Sequence, residues 1–257
     1  ASGGEGEEDD EDGGATKSAR DVAYESSLAT HPGPLAAEAC AFLSHLIVRA
    51  INRPARDSTT AAKFLDATVE EYLQILEAQP DGGTGAKAQL RRLLSSSEPS
   101  DSTERCWNWK SRSLDVEGTL RRRGRRYNGY PVSDRYYGSF SFDGLALAMH
   151  CFYCTGGLNE CIHRVVNYCG DADTTGAIAG QMAGAFYGMG GLDGTWRERL
   201  ERWDRGGQIE ARAILLFVAG EERAQTEAEA EPNTTKVKKH TRKVVKREGW
   251  SKARAAQ

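Results

Sequence analysis

The sequence runs to 257 residues with 39% apolar side chains, enough for one large domain or two small ones. Its 34 basic and 37 acidic residues leave a formal charge of −3, a balance that hides two opposed ends. No apolar N-terminal segment reads as a signal peptide, which argues against secretion and predicts an intracellular protein, cytoplasmic or nuclear.

Residues 1–18 are acidic and glycine-rich with nothing to bury, so a disordered arm is expected there. Pro34 suits a first helical turn, and Leu35, Ala39, Phe42, Leu46, Ile47 and Ile51 then recur at helical spacing. Phe64, Leu65, Val69, Tyr72, Leu73 and Leu76 draw a second stripe, ended by Pro80 and Asp81-Gly82-Gly83. A shorter helix is predicted over 86–94, a loop over 95–103 and a helix over 115–123 despite Gly118. Residues 124–139, rich in tyrosine and glycine, have no helical period and leave room for a short strand. Helices resume over 143–155, 158–168, 174–189, 195–203 and 208–221. The fold class is therefore all-α, a helical domain over 19–222. Residues 223–257 form a charged tail that turns basic from Lys236 to Arg254. That block suits nucleic acid or a nuclear import signal, or else a solvated tail that sets solubility.

Cys151 and Cys154 form a C-x-x-C followed by Cys161 and Cys169, which invites a zinc reading. Both lie in an apolar helical run, and the later pair does not repeat the spacing, so reduced core thiols are expected. His150 and His163 read as core or surface histidines. Trp107 and Trp109 near Lys110 and Arg112, and Tyr127, Tyr130, Tyr136 and Tyr137 near Arg125, Arg126 and Arg135, suit stacking on adenine beside a pyrophosphate. They equally suit nucleic-acid bases or an irregular surface anchored by its rings.

The most informative stretch is Gly170-Asp171-Ala172-Asp173-Thr174-Thr175-Gly176-Ala177-Ile178-Ala179-Gly180. Asp171 and Asp173 would point to opposite sides of a helix, so their convergence requires residues 170–174 to form a turn with the helix starting just after it. Two carboxylates and a hydroxyl at a helix mouth are hard oxygen ligands of the kind Mg²⁺ or Ca²⁺ takes up. The helix behind carries Gly176, Gly180, Gly184 and Gly188, each costing about 1 kcal/mol relative to alanine, which predicts close packing of neighbouring helices. A membrane span over 175–192 is rejected, because the glycines make it weakly hydrophobic and no positive flank orients it.

This string, continued by Ala183-Gly184-Ala185-Phe186-Tyr187-Gly188, resembles the C-terminal signature of the ADP-ribosylglycohydrolases, relatives of the dinitrogenase reductase activating glycohydrolase. Thr30-His31-Pro32 resembles the family's Thr-His-Pro step, and Ser139 to Ala148 the segment entering the helix before the acidic motif. The resemblance covers residues 19–191. It implies an orthogonal multi-helix bundle and a site of two Mg²⁺ ions that cleaves ADP-ribose from a protein side chain or related acceptor. It also implies Asp171, Asp173 and Thr174 as metal ligands, with His31, Gly138, Ser139, Ser141 and Asp143 near the ADP-ribose. The family's other acidic cluster, of the Thr-Asp-Asp-Thr type, does not appear, so the sequence resembles the C-terminal part of such an enzyme. The other reading that follows is an inactive module of the same fold that binds ADP-ribose or a protein partner.

Overall fold

The computed structural model describes residues 17–230 except 55–56, 79–84 and 134–135. Most of the acidic arm, the basic block, Arg135 and the predicted breaker at 80–83 lie outside those residues. The described chain is all-α apart from one two-stranded ribbon. It divides into two units, 1–194 and 195–257.

The first unit opens with α1 (Ala19–Leu28), which the periodicity argument missed because its face is weakly apolar. Local chemistry starts it instead: the Ser18 hydroxyl accepts the Asp21 amide while the Asp21 carboxylate accepts the Ser18 amide, a capping box. Helix α2 (Pro34–Ile51) begins with Pro34 in its first turn, as predicted. Its 18 residues have a mean hydropathy of 1.4, long and apolar enough by composition to cross a membrane. The helix nonetheless buries Phe42 and Leu46 in the protein core, packed by α1 and by later helices. Helix α3 (Ala61–Glu77) starts where the Thr60 hydroxyl accepts the Lys63 amide, and α4 (Gly85–Ser95) contributes Leu90, Leu93 and Leu94 to the core.

A single 3₁₀ turn at Arg105–Trp107 leads to α5 (Val116–Arg123), capped by the Asp115 carboxylate on the Gly118 amide. Strands β1 (Arg126–Tyr127) and β2 (Tyr130–Pro131) pair antiparallel around Asn128-Gly129. Both turn residues have positive φ, 49° and 85°, the combination that favours Asn-Gly in a two-residue hairpin. Helices α6 (Ser141–Tyr153), α7 (Leu158–Val166) and α8 (Ala172–Tyr187) complete the bundle, with α8 against α2, α6 and α7. Helix α6 is the central element, burying every residue from Phe142 to Phe152.

The second unit holds α9 (Gly194–Trp203) from Thr195 onward and α10 (Gln208–Ala230). The Asp204 carboxylate accepts the amides of Gln208 and Ile209 and so caps α10, which runs well past its predicted end at 221.

Candidate functional site

Helix α8 starts at Ala172, two residues before the predicted start, and the carboxyl groups of Asp171 and Asp173 still converge within hydrogen-bond reach of each other. The backbone explains this. Asp171 is the residue before the helix, at φ −82° and ψ 61°, so the rule that separates i and i+2 on a helix does not apply to it. Asp173 lies in the first turn, where its carboxylate accepts the Thr174 amide at 2.9 Å. That bond, with the neighbouring Asp171 side chain, holds the Asp173 carboxyl below its usual range. Asp171 is half-buried and makes no capping bond with its side chain. Asp173 and Thr174 are exposed.

The turn that presents Asp171 is held from beneath. Cys169 and Gly170 both take left-handed backbone conformations, at φ 59° and 65°. A β-carbon on Gly170 would lie 2.3 Å from the Tyr137 carbonyl oxygen and 2.6 Å from its nitrogen, so only glycine fits. The Asp171 amide then donates to the Tyr137 carbonyl at 2.8 Å, and the Thr175 hydroxyl to the Asp171 carbonyl at 2.9 Å. Gly138, at φ 105°, brings its α-carbon against the Thr175 methyl group. The Tyr136 hydroxyl reaches the Asp171 carboxylate; partial burial first, then the two carboxylates, push this phenol up.

The structure therefore brings together Asp171, Asp173, Thr174 and Gly138. Ser139 is exposed on the adjoining loop and Ser141 begins α6. His31 sits in the exposed link between α1 and α2, its Nδ1 3.0 Å from the Thr30 hydroxyl, with no hydrogen bond or ion pair to the Asp171 turn among the described residues. Asp143 is 2% exposed, and its carboxylate is occupied by protein. Arg123 donates to both oxygens, the Trp107 indole donates at 2.9 Å and the Cys106 thiol lies at 3.6 Å. Its Cβ projects from a fully buried stretch of α6, so its observed partners are structural ones.

The aromatic–arginine segment divides in the same way. Trp107 and Trp109 are fully buried, the latter donating to the Leu93 carbonyl, so neither ring is free to stack a base. Tyr137 is buried, and Arg123 covers the Tyr127 ring at 3.7 Å. Tyr130 and Tyr136 remain exposed, with Arg125 and Arg126. Tyr136 is the contact to Asp171 that sequence reasoning passed over, since nothing in the pattern distinguishes it from its neighbours.

The α8 glycines leave room for a β-carbon, so the close helix approach expected of them is not what requires glycine there. A β-carbon at Gly176 or Gly180 would meet Val166 or Ile162 of α7 at 3.5 Å, whereas at Gly184 it would meet nothing within 4 Å. Burial pushes the Cys151 thiol up to about 12 and the Cys161 thiol to about 11. No group of three or more His, Cys, Asp or Glu side chains forms a metal cluster among the described residues.

A family model described as ADP-ribosylglycohydrolase matches residues 10–227. The chain belongs to the ADP-ribosylglycohydrolase family. It is 36% identical over 63 residues to an ADP-ribosyl-[dinitrogen reductase] glycohydrolase of Rhodospirillum rubrum, a match covering 24% of this chain and 21% of that protein. It is 30% identical over 86 residues to the ADP-ribosylarginine hydrolase Tri1 of Pseudomonas putida (strain GB-1), covering 29% of this chain and 23% of that protein. The chain thus matches about a fifth to a quarter of each curated relative. No solved structure matches it significantly.

Proposed function

We propose that this chain belongs to an intracellular, Mg²⁺-dependent hydrolase that cleaves the glycosidic bond between ADP-ribose and a protein side chain or related acceptor. The observation that carries the reading is the convergence of Asp171 and Asp173 at the open N-terminus of α8, on a turn braced by Tyr137 and Gly170. Family membership and the printed activities of the two relatives support it.

The donor set suits a hard divalent cation in part. Asp171 and Asp173 offer carboxylates and Thr174 a hydroxyl, at the start of α8, and Mg²⁺ prefers such oxygens while keeping several waters. Asp171, Asp173 and Thr174 would hold the ion, which would supply positive charge for ribose hydroxyls and lower the pKa of a bound water. The chain's own groups set up that chemistry. Asp173 stays ionised through the Thr174 amide, and the Tyr136 hydroxyl fixes the Asp171 oxygens. Gly138 borders the same turn; in this reading Ser139 and Ser141 line the approach for the ribose, with His31 on the α1–α2 link a further contact. Asp143, closed off by Arg123 and Trp107, serves that loop as support.

Calorimetric titration of ADP-ribose, with and without Mg²⁺, tests the reading on the wild-type chain and on an Asp171→Ala, Asp173→Ala double variant. Mg²⁺-dependent binding that disappears in the double variant is expected. Equal binding by both proteins, or binding indifferent to Mg²⁺, overturns the assignment.

A further inference from the structure

A second polar pocket, of about 180 Å³, lies where α1, α2, α3 and α4 meet. It is lined by Arg20, Asp21 and Tyr24 of α1, Glu38 and Ala41 of α2, Tyr72 of α3 and Lys87 of α4. None of Asp171, Asp173 or Thr174 contributes to it. By the measure of one water per 10–15 Å³, its volume admits a molecule of about a dozen non-hydrogen atoms.

Two of its side chains are buried yet lack protein partners. Glu38 is 6% exposed and Tyr72 3%, and neither the carboxylate nor the phenol makes a hydrogen bond or ion pair among the described residues. Buried carboxylates are ordinarily paired, because burial of an unmatched charge is costly. Burial accordingly pushes the Glu38 carboxyl up, against the opposing pull of Lys87. Asp21 is different: its carboxylate is committed to Ser18. Arg20 and Lys87 are half-buried on the same pocket, and neither forms an ion pair among the described residues. The site therefore offers a buried carboxyl group without a hydrogen-bond partner among the described residues, with Tyr24 and Tyr72 on the same pocket and the basic side chains of Arg20 and Lys87 beside it.

We infer that this pocket binds a free amino acid with a basic side chain, its guanidinium or ammonium group on Glu38 and its carboxylate toward Arg20 and Lys87. A guanidinium fits best, because its planar fork matches a carboxylate and its face stacks on tyrosine. The tyrosine rings exclude water around that contact, and the Tyr72 hydroxyl serves as a further acceptor. A carboxylate on the same ligand neutralises the two basic side chains. This inference stands independently of the ADP-ribose reading.

The test uses the full chain, titrated by calorimetry with L-arginine, agmatine (which lacks the carboxylate) and L-citrulline (which replaces the guanidinium by a neutral group). L-Arginine binds the wild type, and agmatine and citrulline each bind about tenfold more weakly, since each lacks one charge-assisted contact. Glu38→Gln, which keeps the side-chain shape, weakens L-arginine by about tenfold, and Lys87→Met weakens it while leaving agmatine unchanged. The Asp171→Ala, Asp173→Ala variant binds L-arginine like the wild type. No heat with millimolar L-arginine, or affinity unaltered by Glu38→Gln, overturns the proposal. Loss of L-arginine binding in the Asp171, Asp173 variant also overturns it, by moving the ligand to the other site.

Discussion

The Tyr137 carbonyl accepts the Asp171 amide at 2.8 Å, tying the loop before α6 to the turn before α8. The approach is close enough that Gly170 has no room for a side chain, since a β-carbon there would overlap the Tyr137 backbone. Gly170→Ala must break this contact or strain a left-handed backbone. A loss of about 2–4 kcal/mol is expected in urea unfolding, together with loss of ADP-ribose binding. Gly184→Ala is the control. Its β-carbon meets open space in the interior of α8, so it gains about 0.5–1 kcal/mol from helix propensity and leaves binding intact. Equal effects of the two substitutions would sink the idea that Gly170 is required by the contact.

Tyr136 offers a functional test with little structural cost. Its ring is about half exposed while its hydroxyl reaches Asp171. Removing that hydrogen bond to a carboxylate in a solvent-accessible place costs about 1 kcal/mol, equivalent to about a fivefold change. Tyr136→Phe is expected to weaken Mg²⁺-dependent ADP-ribose binding by about that factor without moving the melting temperature. A melting shift with unchanged binding would assign Tyr136 to the fold instead.

The acidic turn was legible in the sequence because its chemistry is local. Asp171, Asp173 and Thr174 lie within four residues, and glycine with cap-forming residues marked the end of a helix. The helix starts two residues earlier than the spacing rule predicts, because that rule holds between helical positions and Asp171 is not helical. Asp143 was not legible in the same way. A lone aspartate before an apolar helix reads as an exposed N-terminal group, and only the fold brings Arg123, twenty residues earlier, onto it. Helix α1 was missed for a related reason: its capping box is the signal, and its apolar stripe is weak. The pocket at Glu38 depends on four helices and is invisible to any one segment.

The Arg123–Asp143 pair is a stability element with a measurable signature. Both side chains are 3% exposed, and Trp107 and Cys106 fill the remaining bonds. Removing one partner leaves a buried charge unmatched, which costs about 3–5 kcal/mol. Arg123→Met and Asp143→Asn are each expected to lose this much in urea unfolding. The double variant should lose clearly less than the sum, because the second substitution removes the orphaned charge. Additive losses would show that the pair is not energetically coupled.

His45 gives the stability a pH dependence whose sign is fixed by burial. Burial, with Arg20 and Arg49 nearby, lowers its pKa from 6.5 to about 4. Glu71, 3.4 Å from Nε2, pulls the other way, but the same carboxylate is engaged by Arg49, so burial prevails. The folded state thus binds its proton less readily than the unfolded state. Between pH 6.5 and 4 the unfolded chain takes up more protons, so this histidine's contribution is complete above about pH 6.5 and is lost as pH falls toward 4. At 1.36 kcal/mol per pKa unit, the loss approaches about 2 kcal/mol near pH 4.5. Other groups, Glu38 among them, shift in the opposite sense, so the measurement is a difference. Wild type and His45→Gln are compared by urea unfolding from pH 7 to 4.5, and the wild type should lose about 2 kcal/mol more. Parallel pH profiles would mean that His45 takes up its proton in the folded protein as easily as in the unfolded chain.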